Sequence, residues 1–230
     1  TKNTDEKETQ VLITLQDEAK KKTPKILTPK ETILEQKREV SLKEEKDNNR
    51  YYVYVKGEVV LTTDSVSDAI IAANSQMGVV IGENQQYVWK RSRKTAQAAF
   101  NDIVVGEEDS GAGSIAQCVN AILEKEEINI SVSALISQGE TPKQILLNTL
   151  KDATVLDLTG CTVDEILYYV SNGYPVFAMT GSSDAVLVVG YDANNVVLYD
   201  PAMGQTYKRT TADADEMFFN AGNIFFTYQK

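Results

Sequence analysis

The order of the periodic segments predicts an α+β fold. In residues 102–230 three amphipathic helical patterns come first and four strand-like runs follow them. A smaller pattern, two hairpins around one helix, occupies residues 51–101 ahead of that part. Residues 1–50 fit neither pattern.

That first stretch is rich in Lys, Glu, Thr and Gln, with short apolar islands at Val11-Leu-Ile-Thr-Leu15 and Lys25-Ile-Leu-Thr28. Such a composition buries too little apolar surface to offset the entropy of ordering the chain, so a charged stalk or linker, partly disordered, is expected. The islands are still able to add a strand to a neighbouring sheet. The chain opens on Thr1 and not on Met, from which an upstream signal peptide or anchoring helix is expected.

Residues 51–101 read as a ββαββ module with a connector. Tyr51-Tyr-Val-Tyr-Val55 and Glu58-Val-Val-Leu-Thr62 flank Lys56-Gly57, a hairpin turn signal. Asp64 or Ser65 is placed to cap the next helix, whose apolar residues Val66, Ala69, Ile70 and Ala73 recur at helical spacing. Gly78-Val-Val-Ile81 and Gln86-Tyr-Val-Trp89 then bracket Gly82-Glu-Asn84 as a second hairpin. A unit of this size has a small core, so packing on the residues that follow is expected. Trp89 and the tyrosines read as packing residues before they read as a ligand platform. Ser92 to Asn101 reads as a short helix or connector.

In residues 102–230 the helical patterns run from Ser110 to Lys125, from Thr141 to Leu150 and from Thr162 to Val170. Thr141 followed by Pro142 is a cap with proline in the first turn. Thr162 with Glu165 three residues on is a capping box. After Asn172-Gly173 the period changes to that of strands: Tyr174 to Met179, Ala185 to Val189, Asn195 to Tyr199 and Asn223 to Tyr228.

Charge and residue types exclude several functions. The net charge is −10, and residues 51–230 hold 11 Lys/Arg against 22 Asp/Glu while residues 1–50 hold 12 against 11. So acidic a body neutralises phosphate poorly, which excludes nucleic acid and disfavours anionic lipid. The 230 residues contain no histidine and only two cysteines, Cys118 and Cys161, with no Cys-x-x-Cys. No zinc-type ligand set exists, and no metal is expected. Gly111-Ala-Gly113-Ser lacks the lysine of a phosphate-binding loop, so no cofactor is expected either. Cys118 reads as a small buried hydrophobe in an apolar helix, and whether it meets Cys161 is open. No stretch approaches the roughly 18 apolar residues of a membrane span.

Four landmarks in order carry a resemblance over about 130 residues: Ser110-Gly-Ala-Gly-Ser-Ile-Ala-Gln-Cys-Val-Asn120, Gly173-Tyr-Pro-Val176, Ser183-Asp-Ala-Val-Leu-Val-Val-Gly-Tyr191 and Leu198-Tyr-Asp-Pro-Ala-Met-Gly204. Residues 102–230 resemble the papain-like cysteine peptidases related to the bacteriocin leader-processing, or double-glycine, peptidases. The resemblance implies a papain-like fold, N-terminal helices packed on a C-terminal antiparallel sheet. It also implies three site positions: a cysteine opening the first helix, a histidine opening the Gly-Tyr strand, and an aspartate in the Asp-Pro after the next strand. Here those positions hold Ser110, Asp184 and Asp200. The glutamine expected a few residues before the nucleophile is missing too, since Ile103 to Asp109 contains no amide side chain.

The chemistry shows what is lost. In the family a thiolate at a helix N-terminus, kept acidic by an imidazolium, attacks a carbonyl, and the imidazole then protonates the leaving amine. A serine hydroxyl is far less acidic than a thiol. Asp184 offers a carboxylate in place of the imidazole, and two converging carboxylates raise one another's pKa without supplying a cation. Cys118, eight residues on, falls two turns deeper on the same helix face. The expected function is therefore that of an inactive pseudopeptidase, a peptide- or protein-binding or scaffolding module using Ser110, Gly111, Asp184 and Asp200. The alternatives are a hydrolase acting through Ser110 with Asp184 or Asp200, and a purely structural assembly component. The simplest roles of these residues are also open: Ser110 as a helix cap, Asp200-Pro201 as a turn starter, and Asp184 either bonded to Ser110 or exposed. A charged stalk ahead of a globular body suits display on the outer face of a bacterial membrane.

Overall fold

Two antiparallel sheets and six helices form among residues 49–91 and 113–230, the residues that the computed structural model describes. The stalk expected up to residue 48, the connector expected at 92–101, and Ser110 with Gly111 lie outside the described residues.

The first sheet is built from β1 (Tyr51–Val55), β2 (Glu58–Thr63), β3 (Val79–Gly82) and β4 (Tyr87–Lys90) in the order β2-β1-β3-β4, with every pair antiparallel. Its first turn holds Lys56 and Gly57 at φ 52° and 90°, the left-handed backbone that a two-residue hairpin turn requires. Helix α1 (Val66–Ser75) crosses one face of the sheet, capped by Ser65, whose hydroxyl accepts from the Asp68 N–H at 3.2 Å. Val66, Ala69, Ile70 and Ala73 are its buried residues. Gly78, between α1 and β3, passes so close to β1 that a Cβ there would lie 2.5 Å from the Tyr54 carbonyl oxygen.

The second sheet takes its strands from β5 (Thr154–Asp157), β6 (Val176–Met179), β7 (Ala185–Tyr191), β8 (Asn195–Asp200), β9 (Gln205–Thr210) and β10 (Phe225–Gln229), in the order β5-β10-β6-β7-β8-β9. Helices α2 (Ser114–Lys125), α3 (Val132–Ser137) and α4 (Pro142–Thr149) precede it, α5 (Val163–Ser171) lies between β5 and β6, and α6 (Thr211–Asn220) lies between β9 and β10. Helices first and antiparallel strands last is the α+β order expected from the sequence.

Both faces of this sheet are covered. Along β7, Ala185, Leu187 and Val189 join one core with α2 and α4, while Val186 and Val188 join a second core with α5. A strand buried on both sides reads as a continuous apolar run, which is why β7 was conspicuous in the sequence. Cys118 belongs to the first core and Cys161 to the second, so the two thiols lie on opposite faces of the sheet, both free and buried.

The second core does not stop at the large sheet. It runs without a break into the first one, joining Val53, Ile70 and Trp89 to Tyr169 and Val188. A polar joint reinforces the seam. Glu165 in α5 is 4% exposed, and its carboxylate accepts from the backbone N–H of Thr162 at 2.7 Å and from the Asn74 amide at 2.9 Å. Its backbone carbonyl accepts from the Trp89 indole N–H at 2.8 Å. Arg91 fixes Asn74 from the other side, donating to its Oδ1 from Nε at 3.0 Å and from Nη2 at 2.6 Å. Trp89, 1% exposed, is a core residue. The described residues all fall in one compact unit, Lys46–Lys230.

Four elements were not anticipated: α3, β5, β9 and α6. Each carries little apolar pattern. Val132 is the one buried residue of α3, Ala214 and Phe218 are those of α6, and β9 is a sheet edge with four of its six residues exposed. The first expected helix also starts late, at Ser114, with Gly113 as its N-cap and no side-chain cap. The cap expected of Ser110 is therefore corrected to Gly113.

Candidate functional site

Strand pairing brings the landmarks to one end of the large sheet. Leu187 faces Tyr199 and Val188 faces Leu198 across β7 and β8. Extending that antiparallel register pairs Asp200, the last residue of β8, with Val186, and places Asp184, the residue before β7, two residues further along at the same end, opposite Ala202. The N-terminus of α2 reaches the same end, because Ser114 bonds directly to the start of β7. The Ser114 hydroxyl accepts from the Ala185 N–H at 3.0 Å and donates to the Asp184 carboxylate at 3.5 Å.

Asp184 closes the β6–β7 hairpin with its backbone carbonyl, which accepts from the Thr180 N–H at 2.8 Å, while its side chain remains exposed. The partner expected for this carboxylate was Ser110. Among the described residues the hydroxyl that meets it is Ser114, one helical turn further along. Sequence reasoning passed over Ser114 although it stands inside the quoted motif; its spacing of four residues from Ser110 was the available signal. Asp200 is half-buried, and its Oδ1 accepts from the Ala202 N–H at 2.9 Å, the Asx turn that its Asp-Pro pairing favours. Met203, 62% exposed, projects from that turn.

Cys118 sits one turn below Ser114 on α2 and is fully buried. Burial pushes its thiol well above the ordinary range, and the Asp200 charge adds to the effect. It is held protonated, which is the opposite of what a cysteine nucleophile needs. Burial raises Cys161 as well, followed by the charges of Glu165, Asp157 and Asp68. Among the described residues no group of three His, Cys, Asp or Glu side chains is placed to hold a metal ion, and no helix is long and apolar enough to cross a membrane. Among the described residues this end offers a helix N-terminus without a side-chain cap, the Ser114 hydroxyl and the carboxylates of Asp184 and Asp200, and the sequence supplies no imidazole.

No protein-family model matches the chain, and no curated protein sequence matches it. Among solved structures, a Bacillus anthracis protein named for its likeness to the C39 peptidases resembles it at 15% identity and a TM-score of 0.48. The match covers 60% of this chain and 98% of the other.

Proposed function

We propose that this chain is a non-catalytic relative of the papain-like peptidases and that the surface around Ser114, Asp184 and Asp200 binds a peptide or protein segment. The observation that carries the reading is the carboxylate of Asp184 in the place of the imidazole, in a sequence without histidine. A carboxylate at that place accepts hydrogen bonds but supplies neither the proton for a leaving amine nor the positive charge that activates a thiol. Its bond to Ser114 supports a fixed, exposed recognition group. Met203, exposed in the turn that follows Asp200, adds apolar surface. A bacterial cell-surface location belongs to the same proposal and rests on the charged N-terminal stretch.

The Ser114–Asp184 contact also supports a second reading, a serine hydrolase with a carboxylate base. One experiment separates the two. The full chain is treated with a fluorophosphonate probe beside Ser110→Ala and Ser114→Ala variants, and a library of extended peptides is titrated against the parent and Asp184→Lys by fluorescence anisotropy. Peptide binding that Asp184→Lys abolishes, with no serine-dependent labelling, is expected. Labelling that disappears with either serine would overturn the non-catalytic reading, and a library without binders would remove the peptide site.

A further inference from the structure

A second feature lies away from Asp184. Where the ββαββ module meets the large sheet, a crevice of about 470 Å³ opens between the β3–β4 turn and the β5–β10 edge. That volume is within the range of ligand pockets, roughly 300–1,000 Å³, and seams between folding units are where such pockets form.

Its wall is dense in polar side chains. Asn49, Arg50, Gln86 and Lys151 line it, and none makes a side-chain hydrogen bond or ion pair among the described residues. Asn84 and Gln229 add two amides with capacity to spare. Asn84 accepts from the Gln86 N–H at 3.1 Å, leaving its NH₂ unused, and Gln229 donates to the Tyr87 carbonyl at 3.1 Å, leaving its oxygen unused. Charge is balanced across the wall: Arg50 and Lys151 stand against Glu83 and Asp152, while the Lys230 ammonium is committed to Glu126. A phosphate or polyanionic ligand would meet as much repulsion as attraction.

Tyr87 lines the crevice, and the Lys90 ammonium lies over one face of its ring, 5.5 Å from the centroid, leaving the other face for a ligand. Tyr87 is 52% exposed, it faces Ile81 across the β3–β4 pair, and Ile81 in turn faces Tyr52. Its backbone is pinned by the Gln229 amide and, at 3.5 Å, by the Tyr168 hydroxyl. A sugar ring matches this combination. One face of a pyranose is C–H surface that packs on an aromatic ring, and its rim is a row of hydroxyls, each donor and acceptor at once, which suits amide and guanidinium side chains. An extended peptide adding to β5, the edge strand of the large sheet, is the competing occupant.

We propose that this crevice is a binding site for a neutral oligosaccharide, stacked on Tyr87 and hydrogen-bonded by Arg50, Asn84, Gln86 and Gln229. The site is separate from the surface around Asp184, and neither proposal depends on the other. The test is isothermal titration calorimetry of the full chain with three uncharged probes: maltotetraose, cellotetraose and N-acetylchitotetraose. At least one is expected to bind, with Tyr87→Ala and Gln86→Ala each weakening it at least tenfold and Asp184→Asn leaving it unchanged. Gln86 is an exposed loop residue, so its variant keeps the test sharp if Tyr87→Ala unfolds. The proposal is overturned if none of the three binds, if binding survives Gln86→Ala, or if tetra-alanine displaces the bound saccharide.

Discussion

Removing the carboxylate of Glu165 is the sharpest probe of how the two sheets are joined. In Glu165→Ala, the Thr162 N–H and the Asn74 amide both lose an acceptor that is 4% exposed in the parent. A hydrogen bond to a charged group contributes about 1.5–3 kcal/mol. Water entering beside these half-buried donors recovers part of two such bonds, so a net loss of about 3 kcal/mol is expected. At roughly 2–4 °C per kcal/mol for a domain of this size, the melting temperature falls by about 6–12 °C. Glu165→Gln separates hydrogen bonding from simple packing. Its single oxygen satisfies one donor, and its NH₂ is left facing the other. Asn74 has no freedom to turn over and relieve the conflict, because Arg91 holds its oxygen. About half the alanine loss is therefore expected. Thermal and urea melts give the energies. Emission from Trp89, the one tryptophan in the chain, reports the seam itself, since its indole bonds to the Glu165 carbonyl. An alanine variant within about 0.5 kcal/mol of the parent, the range of an ordinary surface substitution, or a glutamine variant as unstable as alanine, would refute this account.

Further outcomes follow from other sites. Gly78→Ala places a methyl group 2.5 Å from the Tyr54 carbonyl oxygen and should lower stability by about 1–3 kcal/mol through overpacking; a neutral urea melt would contradict that close approach. Ser114→Ala removes the acceptor of the Ala185 N–H and should cost about 1 kcal/mol, read by the same melt and by faster amide exchange at Ala185. Burial tends to raise Glu126, but hydrogen bonds from Lys230, Tyr228 and Lys125 outweigh it and hold the carboxyl below its ordinary value near 4.5. A depressed carboxylate adds stability that is present above its unfolded pKa and lost as pH falls through the folded one. The advantage of the parent over Glu126→Gln should therefore be full at pH 7 and shrink below about pH 4.5; an advantage unchanged at pH 3 would count against the cluster. Neither buried cysteine should react with a thiol reagent in the native state, and both should react in urea; a fast native thiol, located by peptide mapping, would remove that cysteine from its core.

What the sequence determined by itself was mostly local. The Lys56-Gly57 turn, the caps at Ser65 and Thr141, and the reach of Glu165 back to Thr162 all act within three or four residues, and such contacts are written in spacing. The β7 run was legible for a related reason: burial on both faces leaves no polar alternation to blur it. The absence of histidine needed only counting, and it already argued against the peptidase chemistry that the resemblance implied.

The tertiary structure decided what depends on distant partners. Among the described residues Ser114 meets Asp184, through a contact 70 residues apart that no helical period specifies. The second oxygen of Glu165 is used by Asn74, 91 residues away, so a residue legible as half of a capping box is also the joint between two sheets. The short α3 and the edge strand β9 left weak apolar signatures because little of either is buried. The crevice at the seam draws its wall from both sheets, and polar side chains far apart along the chain acquire a common purpose only once packing has set them around one space.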